Sequence, residues 1–227
     1  MRPWLALPRS REGLNEAAAA AGLRTESGMP VQFVAPSGKR GAYELRVYET
    51  GYIETRADNV HDWFNALCWL AFPRTKARIN AMHAAEIPRE GGRRGRLRDL
   101  LTIFDEGGAI VLCADDELIR LAREFRWKKL FWSERGRVRG AMRFVVLGHA
   151  ALEQALEPWP GISCKALFAR PSENPDQAAA AWLASRSEGA SPRELAPLPV
   201  FGYPGWADND DPQFYDDARY FRQGNAG

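Results

Sequence analysis

The sequence predicts an α+β protein with a mixed or mainly antiparallel sheet and a helical hairpin around 58–87 packed on it. Three observations carry this. Short apolar runs of strand length recur at 31–35, 109–113, 143–148 and 164–169. Helical stretches fall between them with no steady strand–helix–strand rhythm, which disfavours a doubly wound parallel sheet. Finally, Asp58 and Asn59 can cap one helix, and Pro73 can end it and open another.

Along the chain, 1–30 reads as an N-terminal extension or helix, with an alanine-rich run at 14–23. Residues 31–222 read as one α+β domain including the tail, and 223–227 as a disordered end. The strand at 31–35 is stopped by Pro36-Ser37-Gly38. Residues 43–53 alternate in polarity, so 43–55 is expected to be a hairpin turning at Thr50-Gly51. One helix then runs to Phe72 and a second from Pro73 to Ile87, stopped by Pro88. Leu100 and Phe104 bound an expected strand that pairs with 109–113 around Asp105-Glu106-Gly107-Gly108. An amphipathic helix at 115–125, a helix or turn at 127–132, a strand at 143–148 and a helix at 149–156 follow. After the strand at 164–169, a peripheral helix is expected at 176–185. The tail, 198–222, is aromatic and then acidic, with Asp208, Asp210, Asp211, Asp216 and Asp217.

Composition excludes several classes. A net charge of +2 is too small to argue for nucleic acid or a membrane surface. The three cysteines, Cys68, Cys113 and Cys164, contain no Cys-x-x-Cys pair, which argues against a disulfide framework or a zinc ribbon. With no run of membrane-spanning length, the expected compartment is the cytoplasm. Eight tryptophans imply a well-filled interior or an aromatic cleft.

The candidate chemistry lies on the helical pair. His61 and Asn65 are four apart; Lys76, Asn80 and His83 are spaced 0, 4 and 7, so each set forms a stripe. If the stripes face each other, these groups converge among Trp63, Phe64, Trp69 and Met82. Imidazole, amide and ammonium together can polarise a substrate oxygen or phosphate, with histidine as acid or base. His149 stands where a strand leads into a helix. His61, His83 and His149 are also candidate ligands for zinc or another divalent metal, with Asp62, Asp105 or Glu106 as the carboxylate. Their long spacing makes the metal pattern a weak one. Arg89, Arg93, Arg94, Arg96 and Arg98 form a glycine-rich basic loop that can grip the phosphates of a nucleotide or RNA, run free on the surface, or pair with the acidic tail. No phosphate-binding Gly-Lys-Ser/Thr follows it, and no Gly-x-Ser-x-Gly elbow exists.

Taken together, Asp58-Asn59-Val60-His61-Asp62-Trp63-Phe64-Asn65, Phe72-Pro73-Arg74-Thr75-Lys76, Asn80 and His83 resemble the signature of a bacterial domain-of-unknown-function family, number 3025. So do Arg98-Asp99, Phe104-Asp105-Glu106, Gly148-His149-Ala150, Pro160-Gly161-Ile162 with Lys165, and the tail motifs Gly202-Tyr203-Pro204-Gly205-Trp206 and Phe214-Tyr215-Asp216-Asp217. The resemblance covers roughly 40–222, implies that the tail belongs to the domain, and implies no reaction. It adds Lys165 to Asn65, Lys76 and Asn80 as substrate-binding candidates, beside His61, Asp62, His83, His149 and Asp105 as catalytic ones. The expected function is a His/Asn/Lys/Asp pocket serving a hydrolase or transferase on an anionic small molecule. The alternative is a non-enzymatic binding or scaffold protein that docks a partner through its tail or arginine loop.

Overall fold

A computed structural model describes residues 2–223 except 39–41, 92, 160, 173 and 188. Residues 224–227 of the end expected to be disordered lie outside the described residues. The fold class is α+β.

Helix α1 (Arg11–Ala20) starts where Ser10 Oγ accepts from the Gly13 amide at 3.1 Å. Leu14 and Ala18 of its apolar side are buried with Leu23, Phe33 and Ile53. Strands β1 (Gln32–Val34) and β2 (Tyr52–Glu54) pair in parallel, so the hairpin expected over 43–55 does not form. Helix α2 (Tyr43–Thr50) stands in its place. The alternation that suggests a strand also sets Tyr43 and Val47 four apart, which is equally a helical face. Gly51 decides between them. Its φ of 74° ends the helix in the left-handed conformation with its N–H donating to Val47 O, and a Cβ there would lie 2.1 Å from Pro30 O.

Helices α3 (Val60–Ala71) and α4 (Pro73–Glu86) form the predicted pair. Asn59 Oδ1 accepts from the Asp62 amide at 2.9 Å, and Pro73 occupies the first turn of α4, where its missing N–H costs nothing. Helix α5 (Arg96–Gly107) replaces the strand and hairpin expected around 100–108. Its buried residues Leu97, Leu100, Leu101 and Phe104 are spaced 0, 3, 4 and 7, a helical period hidden when the window opens at Leu100. Strand β3 (Gly108–Cys113) follows without a turn.

Helix α6 (Asp116–Arg123), a π turn at Lys129–Ser133, helix α7 (Arg135–Ala141) and strand β4 (Met142–Val146) come next. Helix α8 (His149–Gln154), strand β5 (Ser163–Ala169), helix α9 (Pro175–Ala184) and strand β6 (Ala196–Pro199) complete the regular elements. The main sheet runs β4-β3-β5-β6, with β3 and β5 parallel and the outer pairs antiparallel. Helices intervene within each antiparallel pair, so the expected tight hairpins are absent among the described residues. The sequence does not announce β6 because Pro197 and Pro199 interrupt it; proline is tolerated there because the strand lies at an edge.

Strand β3 is buried throughout. Ala109, Val111 and Cys113 join α6, the π turn and the tail, while Ile110 and Leu112 join α5 and α9. Helix α9 is therefore core rather than peripheral: Ala179 and Leu183 are fully buried. Its buried Asp176 accepts from the Arg74 and Thr75 amides at 3.0 and 2.7 Å, satisfying the open end of α4. The α3–α4 pair packs mainly on α2, α5, α8 and α9 and reaches the sheet through α5 and α9.

Tail residues Tyr215 and Phe221 are buried against Phe131, and Asn209 Nδ2 donates to Phe201 O and Tyr203 O at 2.7 and 2.9 Å. Tail aspartates pair with Lys128 and Arg135, whereas the arginine loop pairs locally through Arg89–Glu86, Arg94–Asp99 and Arg98–Glu90. Loop and tail thus do not neutralise each other among the described residues, contrary to one expectation. The three cysteines are buried and free. No helix among the described residues is long and apolar enough to cross a membrane.

Candidate metal centre and cleft

The sheet brings two distant segments together. The Leu147 and Gly148 amides both donate to Gly108 O, at 3.0 and 2.9 Å, so the end of β4 abuts the start of β3. Asp105 and Glu106, in the last turn of α5, therefore lie beside His149, the first residue of α8. Helix α3 packs on α8 and adds His61. Gly148 permits this approach: a Cβ there would lie 2.5 Å from Gly108 N and 2.6 Å from Glu106 O. Gly148→Ala is expected to cost about 1–3 kcal/mol by overpacking and to part His149 from Glu106; chemical denaturation and a zinc titration check both effects.

Three ligand-type atoms converge. His61 Nε2 and His149 Nε2 are 3.1 Å apart, and Glu106 Oε2 lies 3.4 Å from His149 Nε2 and 3.9 Å from His61 Nε2. A triangle with these sides has a circumscribed radius of about 2.0 Å, so one point sits at zinc–nitrogen distance from all three atoms. These residues form a group able to hold a metal ion. The sides average about 3.5 Å, closer to the edge of a tetrahedral site, about 3.3 Å, than to the roughly 2.9 Å edge of an octahedral face, as follows from a bond of about 2.05 Å. The side chains of His61 and Glu106 are 34% and 45% exposed, which leaves an open approach.

Each histidine turns its other nitrogen to a carboxylate. His61 Nδ1 lies 2.8 Å from Glu153 Oε2, and His149 Nδ1 lies 3.7 Å from Asp105 Oδ2. Asp105 is held by Lys76 Nζ at 2.5 Å, and the same ammonium donates to Asn65 Oδ1 at 2.8 Å. Only His61 Nδ1 is at hydrogen-bond distance from its carboxylate, and His149 Nδ1 is buried without a partner; with a proton on each Nδ1, the two Nε2 lone pairs would face each other and Glu106. Carboxylates behind ligating histidines are the usual outer support of a metal site.

The electrostatics agree with this reading. Burial, helped by the Lys76 ammonium, lowers the His149 pKa to about 4, so the ring resists holding a second proton. Burial pushes the Glu106 carboxyl above its usual range despite the neighbouring His61. Burial also pushes Asp105 up, but Lys76, with His149 and His83, more than offsets it and the group stays below the ordinary carboxylate range.

The predicted stripes do converge. His61, Asn65, Lys76, Asn80, His83, Asp105 and His149 all line one cleft of about 430 Å³. His83 does not join the other two histidines as a ligand: its Nδ1 accepts from Arg98 Nε at 3.1 Å, and Glu106 takes the third place. Asp62 borders the cleft but is bound to Arg56 at 2.8 Å, and that cation holds its carboxyl low against the effect of burial. Lys165 lies elsewhere, in a groove with Trp127 and Trp159. Of the four large apolar residues expected around the patch, only Trp69 lines it. No tail residue does so among the described residues. Glu153, Glu44 and Tyr43 escaped the sequence reading; Glu153 sits four residues after His149, the only local sign of it.

His83 is buried, and desolvation, against the pull of Glu44, lowers its pKa to about 4. The unfolded chain protonates near pH 6.5, so the contribution of neutral His83 is complete above that pH and is lost as pH falls toward 4. The loss is expected to approach about 3 kcal/mol. Denaturation curves across pH 4–7 should flatten in His83→Gln.

No curated protein and no solved structure matches the chain. A family model described as "Protein of unknown function (DUF3025)" matches residues 31–225, which include every residue of the cleft and the metal centre. The chain therefore belongs to the DUF3025 family.

Proposed function

We propose that this protein is a metal-dependent hydrolase in which His61, His149 and Glu106 hold a zinc-class divalent ion. The observation that carries the reading is the common point about 2.0 Å from three ligand atoms. Two histidines and one glutamate with an open side match the ligand count of hydrolytic zinc sites, where the ion polarises a substrate oxygen and activates water. The anion contact first expected of Lys76 has to move to the ion, because Lys76 is already committed to Asp105 and Asn65. In this reading Lys76 and Asn65 are positioning residues that hold the Asp105 carboxylate beside the His149 ring. Three buried, free cysteines favour a reducing compartment, the cytoplasm.

The test compares zinc-loaded and chelator-treated protein on nitrophenyl esters of acetate and phosphate and on an amino-acid anilide. Metal-dependent turnover of one class, lost in His61→Gln, is the expected result. Turnover of none of them, or turnover equal in the chelated protein and the variant, would contradict the enzyme reading.

A further inference from the structure

The end of the cleft away from the metal centre carries a second, neutral pair of groups. Asn80 is 5% exposed. Its Nδ2 donates to Glu44 O at 2.7 Å, which fixes the amide so that Nδ2 cannot be exchanged with Oδ1. Asn80 Oδ1 is then a buried acceptor with no hydrogen-bond partner. Three residues on, His83 Nδ1 accepts from Arg98 Nε, which leaves the ring proton on Nε2. The imidazole stays neutral because burial disfavours its charged form. One side chain thus lacks a donor, its neighbour on the same helix face offers one, and both line the cleft.

We infer that this end of the cleft binds a neutral carboxamide-type group of the substrate, its N–H donating to Asn80 Oδ1 and its carbonyl accepting from His83 Nε2. This rests on the proposed hydrolase site for the other end of the substrate. A carboxylate would offer Asn80 no donor, and a lone ammonium would offer His83 no acceptor. A buried polar group left unmatched is costly, so the pair discriminates strongly. Asn80 and His83 lie about 6 and 10 Å beyond Lys76 along α4, at about 1.5 Å per residue. The substrate is therefore extended, with its amide several bonds from the group at the ion.

The test uses linear hydroxamates with four to six methylenes ending in a carboxamide, a carboxylate or a methyl. Binding to the zinc-loaded protein is measured by calorimetry for wild type, Asn80→Leu and His83→Phe. At one chain length the carboxamide is expected to bind at least tenfold tighter than the other two, and the preference should vanish in both variants. In parallel, adipamide is titrated into the metal-free protein while the His83 ring nitrogens are followed by NMR; a saturable shift of Nε2 that is absent in Asn80→Leu is expected. If zinc is not taken up, the metal reading fails while the NMR titration still decides the amide site. Equal binding of carboxamide and carboxylate, a preference unchanged in Asn80→Leu, or no Nε2 shift would overturn the inference.

Discussion

Glu106→Gln is expected to leave the fold intact and to abolish stoichiometric zinc binding. Glu106 lies at the mouth of the cleft with its side chain 45% exposed, so the neutral isostere disturbs little packing. What it removes is the only anionic member of the triangle, the charge that offsets part of the cost of holding a dication between two neutral rings. Removing an outer hydrogen-bond partner typically weakens a metal site about 10–100-fold, and removing a ligand should exceed that. Glu153→Gln, which alters only the support behind His61, provides the calibration: its loss should fall within that about 10–100-fold range. A competition titration against a chromophoric chelator, read beside a thermal melt of the metal-free proteins, separates ligand loss from unfolding.

Lys76→Met is expected to be the most damaging single change to stability, by about 3–5 kcal/mol. Lys76 is 3% exposed and its ammonium faces Asp105 and Asn65. Methionine fills most of the volume but leaves the Asp105 carboxylate with its neutralising partner gone. Asp105→Asn added to Lys76→Met should recover much of the loss, because no uncompensated charge remains. The pH dependence distinguishes this from a packing defect. In the wild type the folded pKa of Asp105 is depressed, so its contribution is present above the unfolded value near 3.9 and is lost as pH falls through the folded one. Without Lys76, burial loses its main opposition and the folded pKa is expected to rise. The deficit of Lys76→Met should therefore shrink as pH falls and the carboxyl protonates. Urea denaturation at several pH values measures it.

The stripes on α3 and α4 were legible because helical period and capping are local properties: Asn59 and Pro73 mark the boundaries, and residues four apart share a face. The place of Asp105 and Glu106 was not legible. Leu100 to Phe104 is an apolar run broken only by Thr102, which suits a buried strand, and Gly107-Gly108 looks like a hairpin turn. Only Leu97, one turn earlier, reveals the helix that delivers both carboxylates to His149. Glu106 could be named as one of three carboxylates, but choosing it required the β3–β4 pairing, a long-range contact no local pattern encodes. His83 illustrates the converse. It has the right residue type in the right stripe, yet Arg98 claims its Nδ1 and burial keeps it neutral, so the role proposed for it lies at the other end of the cleft.

Zinc K-edge X-ray absorption on protein loaded with one equivalent of zinc tests the metal centre most directly. Two imidazoles and one carboxylate oxygen at about 2.0–2.1 Å, no sulfur, and one imidazole lost in either His61→Gln or His149→Gln are expected. A shell containing sulfur at about 2.3 Å, an all-oxygen shell, or a spectrum unchanged in both variants would contradict that assignment.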